Sequence, residues 1–180
     1  MLLLLIHVIM GVTVCERICT APNGTDTHLV WKSCSDGPII FHNLTLLDEN
    51  RKFFPFCNAM YPIDAKKPFI VSGSITNTAN EYYGDLATSV KLYKWGGLFG
   101  CHWYQIPSFG VLDDLVECGK GIECPIRPGP QQLTMTFNLR GIDYFIKILP
   151  DGVPYKMIFE IMDLAKDTYS CIEMWSVIRT

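Results

Sequence analysis

An all-β fold, an immunoglobulin-like antiparallel β-sandwich of two sheets stapled by disulfides, is what the sequence predicts, and three features predict it. Apolar and polar residues alternate with a period of two through several short runs. Eleven prolines and fourteen glycines punctuate the 180 residues, as turns between short strands require. Eight cysteines follow an uncharged apolar N-terminal stretch, the usage of an oxidising compartment where small domains are cross-linked. The length suits one domain. With 49 % hydrophobic and 18 % charged residues, a packed core is affordable and disorder is excluded. A net charge of −3 provides no electrostatic footprint for nucleic acid.

The elements follow in chain order. Residues 1–15 begin MLLLLIHVIMGVTV, with no Lys, Arg, Asp or Glu through residue 14. That run is too short for the roughly 20 residues of a membrane span and fits a signal-peptide core; a short anchor or a buried first strand is the alternative. Residues 16–28 read as a flexible leader holding Cys19, the expected odd cysteine, and residues 29–180 as the folded domain. Two sequons, at Asn23 and Asn43, agree with export. A glycan on Asn43 must point outward, which assigns Ile40, Leu44 and Leu46 to the inner face. His42 shares their parity and reads as a partly buried structural histidine.

Residues 69–76 and 86–95 read as strands. Residues 93–109 carry six aromatics in seventeen positions, divided by Gly96, Gly97 and Gly100 into strand, loop and strand. This is either a buried hairpin or an apolar mouth suited to a lipid or membrane boundary. Val111, Leu112, Leu115 and Val116 have the spacing of a short amphipathic helix. Cys118 and Cys124 flank a glycine-bearing segment able to close a small loop.

Leu133, Met135, Phe137 and Leu139 alternate with polar residues through 131–140 and predict a strand buried on one face. Residues 139–150 form another apolar run, interrupted by Gly141 and ended by a Pro150-Asp151-Gly152 turn. Residues 155–163 and 168–178 predict a hairpin. Met157, Phe159 and Ile161 face inward from its first strand and Ile172 and Met174 from its second, with Lys156, Glu160 and Glu173 marking the outer face. About seven or eight strands at such intervals make a sandwich.

Catalytic chemistry is not legible. There is no GxSxG elbow, and the Gly-Lys-Gly at 119–121 lacks the spacing of a phosphate loop. Adjacent Asp113 and Asp114 would diverge by about 100° on a helix and cannot work as a carboxylate pair. The cysteines are widely spread without CxxC or HxxxH spacing, so no metal site and no cofactor is expected.

The segment Cys118-Gly-Lys-Gly-Ile-Glu-Cys124-Pro125-Ile126 resembles a feature of the Niemann–Pick type C sterol carrier, a member of the ML (myeloid differentiation factor 2-related lipid-recognition) family. Residues from Tyr155 to Cys171-Ile-Glu-Met are similar to that family's last two strands. Trp31-Lys-Ser-Cys34-Ser-Asp36-Gly37, the Leu-Thr-Leu at 44–46, Trp103-Tyr-Gln-Ile-Pro107 and Val111-Leu-Asp113 resemble its ganglioside-activator branch. Ser108 departs from that branch, which has a cysteine soon after the Ile-Pro. Cys57-Asn-Ala-Met-Tyr-Pro62 is instead similar to the endotoxin co-receptor branch.

The likeness spans about residues 29–178. It implies bridges Cys34–Cys171 and Cys118–Cys124, leaving Cys57 with Cys101, or Cys57 with Cys171 if the co-receptor pattern holds. It also implies a secreted, extracellular or lysosomal protein that holds a lipid (glycolipid, phospholipid or sterol) between its sheets, visits a membrane surface, and presents its cargo to a hydrolase or receptor. The expected cavity lining is Phe137, Leu139, Met157, Phe159, Ile161, Ile172 and Met174, and the expected mouth Trp95, Phe99 and Trp103. The alternatives are a co-receptor or other secreted interaction sandwich and, last, a hydrolase with a scattered site.

Overall fold

The computed structural model describes residues 19–22, 25, 29–52, 62–97, 100–166 and 168–180. The expected signal segment, Asn23, His28, Cys57 and Phe99 lie outside the described residues.

Among the described residues, twelve strands form two sheets. The first contains β1 (Val30–Ser33), β4 (Pro62–Asp64), β6 (Leu86–Trp95), β7 (Trp103–Ile106), β11 (Val153–Asp163) and β12 (Thr168–Arg179). Its order is β1-β12-β11-β6-β7, with β4 added parallel to the end of β12. The second contains β2 (Ile39–Phe41), β3 (Thr45–Asp48), β5 (Phe69–Asn77), β8 (Glu117–Cys118), β9 (Gly121–Ile122) and β10 (Gly129–Phe137). It is ordered β2-β5-β10-β9-β8, with β3 on β5. Apart from the parallel β12/β4 and β8/β9 pairs, the strands run antiparallel.

Alternation drives the assembly. On β10, Leu133, Met135 and Phe137 are buried between polar neighbours, and the strand pairs along its whole length with β5. On β11, Tyr155, Met157, Phe159, Ile161 and Asp163 turn inward, in register with β12 on one side and β6 on the other. Phe69, Phe137 and Phe159 meet across the sheets, the first pair stacked at 4.9 Å and the second edge to face at 5.0 Å. Such contacts add roughly 0.5–1.5 kcal/mol beyond area burial.

Three disulfides join described cysteines: Cys34–Cys171, Cys118–Cys124 and Cys19–Cys101. The last corrects two expectations. Cys101 bonds Cys19, not Cys57, and Cys19 is not a spare thiol. The tip of the β6–β7 hairpin lies against residues 19–20, where the Trp95 indole donates to the Thr20 carbonyl at 2.9 Å.

Further differences have local causes. Ile40 is 45 % exposed while Ile39 and Phe41 are buried, because residues 42–44 break the strand between β2 and β3 and shift its parity by one. Here Asn43 crosses over Gly73 so closely that a Cβ at 73 would strike the Asn43 carbonyl. The Asn43 carboxamide accepts from the Ser74 amide at 2.8 Å, and His42 is exposed, bonded to Thr76.

Residues 111–116 are turns rather than helix. Asp114 adopts φ +52° and its amide bonds the Thr88 carbonyl of β6, yet Leu112 and Val116 remain buried. The apolar run at 139–150 contains a 3₁₀ turn at Arg140–Ile142 and one helical turn, α1 (Asp143–Ile146). Glu173 is not on a wet face. It is buried on the outer side of β12, held by Lys32 at 2.9 Å and Lys156 at 3.2 Å.

Candidate functional site: an apolar cavity open at one end

The two ends of the sandwich differ. At one end the β11–β12 hairpin is laced by polar contacts. The Ile39 amide of the second sheet donates to the Ser170 hydroxyl of the first at 3.0 Å. Asn77, 2 % exposed, donates to the Glu81 and Ile126 carbonyls and accepts from the Ala79 amide. A small pocket lies there, beside Ile39, Tyr83 and Ile161.

Toward the other end the sheets enclose a cavity. From the first sheet, Val90, Leu92, Met157, Phe159, Ile63 and Ile178 line it; Phe69 and Phe137 face them from the second. Leu112 and Leu115 close the edge between the sheets. Leu139, Phe145, Ile146 and Leu149 cover the end from the link between β10 and β11. Every described lining residue is apolar. The cavity volume is only about 50 Å³, so a tail of any length must push lining side chains apart. Water entering the space would find no hydrogen-bond partners, whereas hydrocarbon loses nothing there.

Of the expected lining, Phe137, Leu139, Met157 and Phe159 stand on the cavity. Ile161, Ile172 and Met174 do not. They are buried between the sheets but fill the core rather than lining the space, Ile161 beside the smaller pocket of the hairpin end. Ile161 lies further along β11, while Ile172 and Met174 stand level with Phe159 and Met157 but one strand over, on β12.

The expected mouth also moves. Trp95 and Trp103 are cross-strand partners 5.1 Å apart, at the parity opposite to Val90 and Leu92, and therefore on the outer face of the first sheet. Lys156 lies 5.7 Å from the Trp103 ring and 4.3 Å from that of Tyr93 on this face. Residues lining the open end come instead from two connections assigned differently from sequence. Ile142, Phe145, Ile146 and Leu149 have i, i+3, i+4, i+7 spacing, a helical signal that was present in the sequence.

The titratable groups show no catalytic arrangement. Burial, with Asp151 nearby, pushes the Tyr155 phenol well above its ordinary value, and its hydroxyl donates to the Pro150 carbonyl at 2.7 Å. This anchors the link between β10 and β11. The hydrogen bond between Lys91 and Glu160 raises the lysine, a surface pair on the outer face. Among the described residues no group of three His, Cys, Asp or Glu side chains is placed to hold a metal.

Fold and site define a disulfide-linked two-sheet sandwich with an apolar cavity between the sheets. No family model and no curated protein matches the chain. Among solved structures it is similar to a Niemann-Pick type C2 protein from Japanese carpenter ant, at TM-score 0.49 and 12 % identity over 83 % of this chain and 99 % of that one. It is also similar to the C-terminal domain of wzt, at TM-score 0.43 and 8 % identity over 87 % and 81 %. At these values neither likeness carries an argument, and the function is read from the cavity.

Proposed function

We propose that the protein is a lipid carrier that takes an acyl or similarly apolar tail between its sheets and leaves the polar head at the open end. The observation that carries this reading is a cavity lined, among the described residues, by apolar side chains alone. A buried tail contributes about 0.8 kcal/mol per CH₂, enough to offset the cost of spreading the lining without charged contacts. The disulfides and the apolar N-terminal stretch support a secreted, extracellular or lysosomal setting. The ML-like motifs favour glycolipid presentation to a hydrolase as the finer reading, with phospholipid and sterol as the other cargoes.

Native mass spectrometry of the secreted protein, followed by extraction, tests the proposal. A stoichiometric lipid is expected, and its head group selects the cargo class. A bare protein that also fails to take up a fluorescent fatty-acyl probe from an ethanol dispersion would refute the carrier reading. One observation favours an interaction module in that event: Tyr82, Leu164 and Tyr169 are each more than half exposed around the hairpin end.

A further inference from the structure

The outer faces of the two sheets differ in charge. On the first, Lys32, Lys91, Lys156, Glu160 and Glu173 form ion pairs between neighbouring strands. On the second, the adjacent strands β2, β5 and β10 contain no Lys, Arg, Asp or Glu. Ser72, Ser74 and Thr76 of β5 stand half-buried on that face, with Gln132 and Thr134 of β10 opposite Ser74 and Ser72.

Among the described residues β2 ends the order of this second sheet. The Ile39 amide turns away from β5 to the Ser170 hydroxyl, whereas the His42 amide turns to the Ser74 carbonyl of β5. Backbone groups alternate sides along a strand, so the Phe41 amide and carbonyl point away from the sheet, where no described group meets them. The run from Ile39 to Leu47 has no charged residue, proline or glycine, and Ile40 within it is 45 % exposed. An apolar edge strand with open backbone groups and no charge is a template for pairing with another copy. Such a segment needs a gatekeeper.

Asn43 stands in the middle of that run, in the break between β2 and β3. It is exposed. Its Oδ1 accepts from the Ser74 amide at 2.8 Å, which fixes the carboxamide on the sheet edge, while Nδ2 meets no described group. Thr45 completes the sequon Asn43-Leu-Thr45. The nitrogen that N-glycosylation modifies is thus the atom of the carboxamide that the fold leaves unused.

We propose that an N-linked oligosaccharide on Asn43 guards this uncharged edge, standing over β2 and the hydroxyl-bearing face of β5 and keeping a second copy from pairing there. In the transfer, Nδ2 bonds to the anomeric carbon of an oligosaccharide carried on a lipid pyrophosphate. That carbon's bond to the phosphate oxygen breaks, the lipid pyrophosphate leaves with the bonding pair, and Nδ2 gives up one proton. Oδ1 keeps the Ser74 amide throughout. A bulky hydrated group in the middle of the run then does what a charge does on other edges. The guard rests on the export that the proposed function supposes, and on nothing about the cargo.

Secretion from an animal cell line, with peptide mass spectrometry before and after peptide-N-glycosidase, tests it. The peptide holding Asn43 is expected to carry an oligosaccharide, and release by the enzyme should leave a carboxylate in place of the carboxamide. Three variants read what the glycan does. Thr45→Ser retains the sequon and should stay glycosylated and monomeric in sedimentation velocity. Thr45→Ala loses the glycan but keeps the bond between Asn43 and Ser74, and should lose monomer to larger species as concentration rises. Adding Ile40→Lys to Thr45→Ala puts a charge on the edge in the glycan's place and should restore the monomer.

A bare Asn43 in secreted, disulfide-linked protein would overturn the proposal, as would a Thr45→Ala protein that stays as monomeric as the parent. Association that Ile40→Lys fails to relieve would also overturn it, by assigning the effect to lost stability rather than to the edge. A chain that stays in the cell without its disulfides would sink the export reading, and the guard with it. Uptake of the acyl probe from ethanol reads the cavity separately and is expected to be equal before and after glycan release. A glycosylated protein that takes no probe would sink the carrier reading and leave the guarded edge standing.

Discussion

The hairpin end and the open end are built from the same strands, yet polar contacts join the sheets at one and hydrocarbon separates them at the other. At the hairpin end, Ser170 ties β12 to β2, Asn77 satisfies three backbone groups, and Cys34–Cys171 links the chain entering β2 to β12. Directional bonds there specify one spacing between the sheets. At the open end the facing residues are Phe69, Val90, Leu92, Phe137, Met157 and Phe159, whose contacts are non-directional and survive a change of spacing. A sandwich pinned at one end and greased at the other can part its sheets without losing its fold. Incomplete packing at the open end costs stability, and the lacing and disulfides at the pinned end offset it.

The comparison can be broken in four ways, from the largest expected effect down. Phe159→Asp places a charge at a side chain 2 % exposed, where no described partner awaits it. The cost of an unpaired buried charge exceeds about 4 kcal/mol, so folded protein should not be recovered, and a normal yield would show the cavity wall to be wet. Replacing Cys34 and Cys171 by Ser should lower stability by about 2–5 kcal/mol, read by denaturant titration. Lipid uptake in the surviving folded fraction should persist, because the pinned end and not the cavity is loosened.

Asn77→Ala takes their side-chain partner from the Glu81 carbonyl and the Ala79 amide, while the Ile126 carbonyl keeps the Tyr83 amide, and should cost about 1–3 kcal/mol, with uptake again unchanged. Uptake lost in step with either variant would mean that the two ends are not separable.

The smallest effect concerns pH. The hydrogen bond and charge of Lys166 hold the Glu81 carboxyl below its ordinary value. Its contribution is therefore present above the unfolded-state pKa and lost as pH falls through the lower, folded one. Lys166 is raised by the same partner, so its share is present below the unfolded lysine pKa and lost at more alkaline pH. Both groups are exposed, and the Glu81→Gln variant should unfold at nearly the parent temperature at neutral pH. A large shift would show this surface pair to be part of the pinning.

Much of the fold was legible along the chain because a strand with one buried face writes its period into the sequence. Leu133, Met135 and Phe137, and likewise Met157, Phe159 and Ile161, lie inside as their alternation requires. Where alternation failed, a local break was responsible, as at residues 42–44 over Gly73. The link at 139–150 reads along the chain only as an apolar run, although Ile142, Phe145, Ile146 and Leu149 have helical spacing; the interruption at Gly141 obscured it.

The sequence by itself determined the two-sheet class and the inward face of the long strands. Tertiary structure alone decided which inward residues line empty space and which fill core, because neither depth along a strand nor the strand's place across the sheet leaves a trace in a period of two. It also decided that Trp95 and Trp103 face outward and that Cys19 takes Cys101. Each of these depends on which distant strands become neighbours, and contacts across the sandwich are set by pairing in space rather than by spacing along the chain.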